Sequence, residues 1–437
     1  MEKSIVILGL GSNLGHRLQY LRRAVQALES HAQITLVNYS RLYLTKAIVP
    51  ENTPADWDID YFNMVIKIET TLEPLTLMHF NQHIEREMGR DSGHEIWSPR
   101  IIDIDILSWE DRIIETQALN IPHQHLLERN FAIAPLIEIH PLWQHPKYPE
   151  MDLYSIIKKM PALTVLPYRL KGTQLMGIIN ITPESMSGPH FGYSLESIQD
   201  QFISLVNGGA EVIDIGAEST RPNAKAINAE AEWQRLRPIL EHLNKMLANK
   251  NLLIHPKISI DTYHAETVQR LMPYPVNMVN DIYGIETKEM LPYLRENKLK
   301  YIFMHHCGKA GDQYLDKNIA ASQQVIQYGQ KQVTQLVQNG LCPSQLIYDL
   351  GFGFGKYPFQ IQEMIQSIDL FKTKFEILLL IGHSRKAFAM PSANALPAIE
   401  RDLETASLSQ YLAQHGIDYL RVHDTESSSR LIQMNSN

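Results

Sequence analysis

Residues 345–350 read QLIYDL and run directly into 351–356, GFGFGK: a short apolar, β-rich run stops on an acid and opens into a glycine-rich loop. Outward from this stretch the same pattern recurs. LMGIINI (175–181), EVIDIG (211–216), KISID (257–261), VNMVND (276–281) and KYIFMH (300–305) precede it, and EILLLIG (376–382) and DYLRVH (418–423) follow. Between these runs lie stretches of helical length and period, at 195–207, 230–249, 318–339, 359–373 and 401–415. Eight strands alternating with helices over residues 173–437 match a (β/α)8 TIM barrel in count and size. Most of the strands end in a polar residue: Asn180, Asp214, Asp261, Asn280, His305, Asp349 and His423. The carboxyl ends of barrel strands face the active site, so this pattern predicts an enzyme with a polar mouth.

The first 160 residues have a different rhythm. A strand (4–10), a helix (16–30), strands near 34–44 and 61–70, a helix (73–89) and a strand (101–107) give the order β-α-β-β-α-β. That order predicts a ferredoxin-like α+β domain, an antiparallel sheet with helices on one face. Residues 141–172 carry five prolines. The expected division is a domain at 1–160, a linker at 161–172 and the barrel at 173–437.

Composition narrows the function. The 437 residues are 44% hydrophobic and 20% charged, and 40 Lys and Arg against 48 acids give a net charge of −8. An acidic balance argues against general nucleic-acid binding. No apolar run reaches the ~18 residues of a membrane span, and the opening IVILGL reads as a strand without a cleavage site. Cys307 and Cys342 cannot form a disulfide framework, so a cytoplasmic chain with free thiols is expected.

Chemistry concentrates in both parts. In RIIDIDIL (100–107), Asp103 and Asp105 share one face of a strand, and two adjacent carboxylates suit Mg²⁺ bridged to nucleotide phosphates. Arg90, Trp97, Arg100, His123 and Arg129 surround them in the sequence as candidate phosphate ligands. GLGSNLG (9–15) has GxGxxxG spacing with no acid about 20 residues on, which reads as a tight strand-to-helix turn rather than a dinucleotide fingerprint. In the barrel, acids and amides on strands three, four and six suit the donor edge of a nitrogen heterocycle. Arg385, Lys386, Arg421 and His423 on the last two strands suit an anionic group. His305-His306 lacks the third ligand cluster that a zinc site needs.

GLGSNLG, Tyr61-Phe-Asn63, Ile84-Glu85, Gly89-Arg90, WSPR, DIDIL and the Pro122-His123 to Arg129-Asn130-Phe131 segment, taken in order, resemble the 6-hydroxymethyl-7,8-dihydropterin pyrophosphokinases. The resemblance implies pyrophosphate transfer from ATP to the pterin hydroxymethyl group. Asp103 and Asp105 would hold Mg²⁺, and Tyr61, Asn63 and Phe131 would hold the pterin. Glu85, Arg90, Trp97, Arg100, His123 and Arg129 would line the ATP site. Ser92 and Ser98 depart from that family's mobile-loop residues.

MGIINITPES, GAEVIDIGAESTRP, MHH, DLGFGFGK, SRK and RVHD resemble dihydropteroate synthase over residues 173–437. Here the resemblance implies that Asp261, Asn280, Asp349 and Lys386 bind the pterin. Asn180, Arg421 and His423 would hold pyrophosphate, with Asn180 on its Mg²⁺. Thr220, Arg221 and Ser384 would meet p-aminobenzoate. Glu184, Met186, Leu350 and His383 depart from the usual residues. The implied partners are these small molecules alone, with a homodimer through the barrel. Two alternatives stand beside this reading: a pterin-binding barrel of methyltransferase type, and a ferredoxin-like RNA-binding module, which the missing aromatic strand motif argues against.

Overall fold

In the computed structural model of the chain, residues 3–48, 50, 53–90, 98–181, 194–218, 226–284, 288–307, 313–386 and 397–434 are described. The chain divides into two compact units between Lys171 and Gly172.

The first unit is built on a sheet of β1 (Ser4–Ser12), β2 (Ile34–Tyr39), β3 (Tyr43–Thr45), β4 (Tyr61–Thr70), β5 (Asp103–Trp109) and a late strand described below. Helices α1 (Arg17–Glu29) and α2 (Pro74–Glu87) interleave with them. β1 lies between β4 and β5, antiparallel to both, and β2 and β3 both pair with β4. The single strand expected near 34–44 is thus two strands on one partner, separated at residues 40–42, and β2 itself carries a register shift between Leu36 and Asn38. Strand alternation sorts the core. Leu8, Leu10, Phe62 and Met64 share one face, and Arg17 at the start of α1 stacks over the Phe62 ring at 4.1 Å. Ile7, Val65 and Leu107 share the other face and pack with Ala132, Ile133 and Leu136 of α3 (Asn130–Ile139), which follows the short hairpin β6 (Ile114–Glu115) and β7 (Asn120–Ile121). Helices therefore cover both faces, not one. α3 lies on the second face because its own apolar run, NFAIAPLIEI, must be buried too.

After α4 (Leu153–Ile157), residues expected to form a linker contribute structure instead. β8 (Thr164–Val165) pairs with β3, and Leu166, Tyr168 and Leu170 are buried at alternate positions. The prolines hid this period-2 pattern.

The second unit closes into an eight-stranded parallel barrel. Its strands are β9 (Gln174–Asn180), β10 (Ala210–Gly216), β11 (Lys257–Asp261), β12 (Met278–Asp281), β13 (Lys300–Met304), β14 (Leu346–Asp349), β15 (Leu378–Ile381) and β16 (Tyr419–Val422). Around it stand α5 (Leu195–Asn207), α6 (Ala229–Leu247), α7 (Ala265–Arg270), α8 (Leu291–Glu296), α9 (Ala321–Gln338), α10 (Pro358–Gln366), α11 (Ile368–Lys374), α12 (Asp402–Gln414) and α13 (Thr425–Met434). The helix expected at 359–373 is two helices meeting at Ser367. Ser194 and Asn228 cap α5 and α6 through their side-chain oxygens. Met176, Val212, Met278, Ile302, Ile347, Leu380 and Tyr419 form an apolar layer inside the barrel. Outward residues such as Ile213, Ile215, Ile258 and Ile260 pack with the surrounding helices.

His383, just beyond β15, is buried. Its Nε2 meets Ser409 Oγ at 2.8 Å, and its Nδ1 has no partner among the described residues. Burial pushes this imidazole down to about 4. An unfolded chain would take up a proton near pH 6.5 that the folded chain refuses, so stability falls as pH drops from about 6.5 towards 4. Urea unfolding at pH 7 and pH 5 checks this. The His383→Met variant is expected to lose about 2 kcal/mol less than wild type between the two values; equal losses would contradict the assignment.

Candidate functional sites

In the first unit the register of three strands builds a cleft. On β1, Gly11 stands opposite Asp103 and Gly9 opposite Asp105; on the other side of β1, Gly11 faces Asn63 of β4. The two glycines leave the space beside the carboxylates clear. A Cβ on Gly11 would come within 2.8 Å of Asn63 Oδ1, and one on Gly9 within 3.1 Å of Leu107. The cleft is lined by Asp103 and Asp105 together with Tyr61, Asn63, Arg100, His123, Arg129 and Phe131. Eight of the residues singled out in the sequence thus meet in one cavity. Asn63 is held by its amide nitrogen, which donates to Thr45 Oγ1 at 2.7 Å, and the Arg129 guanidinium lies 5.7 Å over the Phe131 ring.

Glu85 and Arg90 stand behind this lining. Arg90 bridges Glu85 at 2.6 Å and Asp103 at 2.8 Å, and Arg100 reaches the other oxygen of Asp103 at 3.3 Å. Glu85 also accepts from the Ile104 backbone N–H at 2.7 Å. Burial, and next the Asp103 charge, push Glu85 up to about 7. The same two causes push Asp105 well above the usual carboxylate range. A pair of oxygen donors on one strand face, one of them raised by burial and then by its neighbour's charge, fits a hard divalent cation, whose charge would favour both carboxylate forms. His123 Nδ1 accepts from His125 N at 3.2 Å, which assigns the ring proton to Nε2; burial and then Arg129 lower the ring to about 4, so it is a neutral donor at pH 7. Trp97 and Ser92 lie outside the described residues.

In the barrel, the position two residues beyond the apolar layer also points inward. Those positions are Ile178, Met304 and Gly382 and, as the polar members, Asp214, Asn280, Asp349 and Arg421, with Asp261 paired to Asn280 in register. A charged layer therefore sits directly on an apolar floor. Arg421 Nε bonds Asp214 at 2.6 Å and its Nη2 bonds Asp261 at 2.9 Å, while Asn280 donates to Asp214 at 3.0 Å. Asp349 accepts from Gly351 N at 2.8 Å, and burial raises its carboxyl. Burial lowers Lys386 to about 8; its ammonium donates to the Phe352 carbonyl and lies 4.7 Å over the Phe354 ring. Ser384 Oγ lies 2.8 Å from His423 Nδ1 and accepts from His423 N at 3.0 Å.

This layout corrects one expectation. Acids and cations do not occupy separate sides of the mouth: Arg421 is inserted between two acids, and Arg385 forms a bidentate pair with Asp402 of α12, both bonds 2.8 Å. Asp214 was visible as a polar strand end but received no role. Its place between Arg421 and Asn280 depends on barrel closure, which pairs β16 with β9 and so leaves strand eight one strand away from strand two. Asn180 ends β9 with its side chain exposed. His305 and His306 share no metal-ligand cluster among the described residues: His305 meets Lys356, and His306 meets the Tyr283 carbonyl. Thr220, Arg221, Glu184 and Met186 lie outside the described residues.

Removing the Arg421 side chain leaves two acids facing each other without their cation. Arg421→Met is expected to destabilise the barrel by about 3 kcal/mol, the cost of breaking a buried ion pair. Urea unfolding at pH 7 would read it, and an unchanged midpoint would contradict the bridging role.

A family model described as 7,8-dihydro-6-hydroxymethylpterin-pyrophosphokinase matches residues 7–141, and one described as pterin binding enzyme matches residues 176–423. The folate synthesis bifunctional protein of Chlamydia caviae is 34% identical over 437 residues, covering 98% of this chain and 96% of its own. The folic acid synthesis protein of Schizosaccharomyces pombe is 30% identical and covers 99% of this chain, which spans 59% of that longer protein. Among solved structures, dihydropteroate synthase from Anaplasma phagocytophilum, with bound 6-hydroxymethylpterin-monophosphate, is 30% identical with a TM-score of 0.53, covering 60% of this chain and 98% of its own. The Plasmodium falciparum HPPK-DHPS structure covers 99% of this chain and 95% of its own at a TM-score of 0.54 and 19% identity, a likeness of fold. No helix among the described residues is long and apolar enough to cross a membrane.

Proposed function

This chain belongs to the bifunctional folate-synthesis enzymes, which join a hydroxymethyldihydropterin pyrophosphokinase to a dihydropteroate synthase, and from that membership we propose which of its residues carry each reaction. The enzyme transfers pyrophosphate from ATP to 6-hydroxymethyl-7,8-dihydropterin. It then condenses the product with p-aminobenzoate to give 7,8-dihydropteroate and pyrophosphate.

For the first reaction, the pterin lies between Tyr61 and Phe131 with Asn63 reading its edge. Arg100, Arg129 and the neutral Nε2–H of His123 take the ATP phosphates, and Trp97 belongs with them. Arg90 and Glu85 fix the direction of the Asp103 carboxylate. Asp103 and Asp105 would hold Mg²⁺, which neutralises phosphate charge when bound. The chain's own contribution is positioning: a rigid sheet edge aligns the hydroxymethyl oxygen with the phosphorus it attacks, and AMP leaves.

For the second reaction, Asp261, Asn280 and Asp349 accept hydrogen bonds from the pterin ring, with Lys386 above it. Asn180, Arg421 and His423 take the pyrophosphate, whose Mg²⁺ would lie by Asn180. Ser384 meets the p-aminobenzoate carboxylate, and Thr220 and Arg221 are assigned to the same substrate. Stabilising the departing pyrophosphate lets the C–O bond weaken before the amine nitrogen attacks the methylene carbon. The observation that carries this reading is the inward charged layer resting on the apolar floor. A methyltransferase-type barrel would have no use for the Ser384–His423 pair and Lys386 at one rim. The reading extends to a cytoplasmic enzyme, supported by two free cysteines, and to a dimer through the barrel; light scattering on the eluting protein would show about twice 50 kDa, and a monomer mass would reject the dimer.

Single substitutions separate the steps. Asp105→Ala is expected to abolish AMP formation while leaving dihydropteroate synthesis from supplied pterin pyrophosphate within twofold. Lys386→Ala is expected to show the reverse. Undiminished AMP formation by Asp105→Ala would remove that residue from the metal site.

A further inference from the structure

Lys356 ends the GFGFGK loop and is nearly fully buried, yet the two reactions give it no task. Its ammonium has three acceptors: Gly351 O at 2.8 Å, His305 Nδ1 at 2.9 Å and Phe354 O at 3.0 Å. Three N–H groups meet three acceptors, so a buried cation that would otherwise be costly is fully satisfied. The first and third acceptors are backbone carbonyls of the loop itself, and the second belongs to the residue following β13. Lys356 therefore fastens the loop both to itself and to the neighbouring strand.

The loop is also held by Phe354 N donating to Gly351 O at 3.1 Å, by Leu315 N donating to Gly355 O at 2.9 Å and by the buried Phe352 side chain, but none of these reaches His305. Gly351, Gly353 and Gly355 have φ of +65°, +85° and +64°. Glycine permits that winding but does not enforce it, because it also populates many other conformations. The approach to β13 is close: a Cβ on Gly351 would fall 1.9 Å from His305 O. What the loop carries is specific. Phe352 O accepts from Lys386, and the Phe354 ring lies under the same ammonium. Gly351 N orients Asp349. Burial lowers Lys356 to about 7, so the charged form with its three donors prevails below that pH.

We propose that Lys356 is a positioning residue for the pterin end of the barrel site: with His305 it braces the Gly351–Gly355 loop so that the Phe352 carbonyl and the Phe354 ring hold the Lys386 ammonium in place. The proposal rests on the reading of Asp349 and Lys386 as pterin ligands. Arginine cannot replace the three-pronged ammonium in this space, and an apolar chain of similar length takes this donor from His305 Nδ1 and the Phe354 carbonyl, leaving Gly351 O only its bond from Phe354 N.

The test uses the full chain, wild type and Lys356→Met, with the pterin pyrophosphate and p-aminobenzoate supplied directly. The expected result is a rise of tenfold or more in KM for the pterin pyrophosphate and less than a twofold change in KM for p-aminobenzoate. AMP formation by the first unit, an internal control of integrity, is expected to stay at the wild-type rate. Unchanged kinetics, or equal losses for both substrates, would overturn the proposal. If Lys356→Met fails to fold, a second pair decides. His305→Asn keeps an acceptor near the Nδ1 position and is expected to behave as wild type, whereas His305→Leu removes it and is expected to raise the pterin KM. Equal behaviour of the two would overturn the bracing role. Binding of the pterin pyrophosphate, followed by pterin fluorescence, is expected to rank the variants in the same order. If wild type bound the pterin but made no dihydropteroate, the assigned reaction would fail while the bracing would still be read from that ranking.

Discussion

Two carboxylates cannot share a buried site unless positive charge or a proton lies between them, and both sites of this enzyme are organised around that constraint. In the first unit, Asp103 and Asp105 project from one face of β5, with Arg90 and Arg100 gripping Asp103 and the Asp105 carboxyl displaced upward. In the barrel, Asp214 and Asp261 are separated by the Arg421 guanidinium. The arrangement thus balances much of its charge through its own ion pairs.

Around these pairs, the backbone does the spacing. Glycine opposite each aspartate of β5 opens room that any other residue would fill. In the barrel the period-2 rule does the same work by layers, placing Asp214, Asn280, Asp349 and Arg421 one step above Val212, Met278, Ile347 and Tyr419. The apolar floor lowers the local dielectric, which strengthens every interaction made directly above it. Chemistry links the two sites: the first makes a pterin bearing a good leaving group, and the second consumes it.

Much of this was readable from the chain. The barrel strands could be placed because each is a short apolar run ending in a polar residue, and KISID was delimited to the residue. The Asp103–Asp105 pair followed from its spacing alone. What escaped had physical reasons. The role of Asp214 depends on Arg421, 207 residues away, and only closure of the barrel joins them. Arg385 looked like a free cation because its partner Asp402 lies on α12, beyond the loop that follows it. The strand at Thr164–Val165 was hidden among prolines, and the position of α3 on the second face of the sheet was not implied by element order. Lys356 read as the end of a motif; that its three acceptors are a histidine and two carbonyls is a property of the folded loop.

The most direct test supplies purified enzyme with limiting 6-hydroxymethyl-7,8-dihydropterin, excess ATP, Mg²⁺ and labelled p-aminobenzoate, and follows AMP and labelled dihydropteroate to completion. The account predicts one dihydropteroate for each AMP, with no label incorporated when ATP is left out. AMP accumulating without dihydropteroate would contradict it, leaving a working pyrophosphokinase joined to a barrel whose buried acids serve some other reaction.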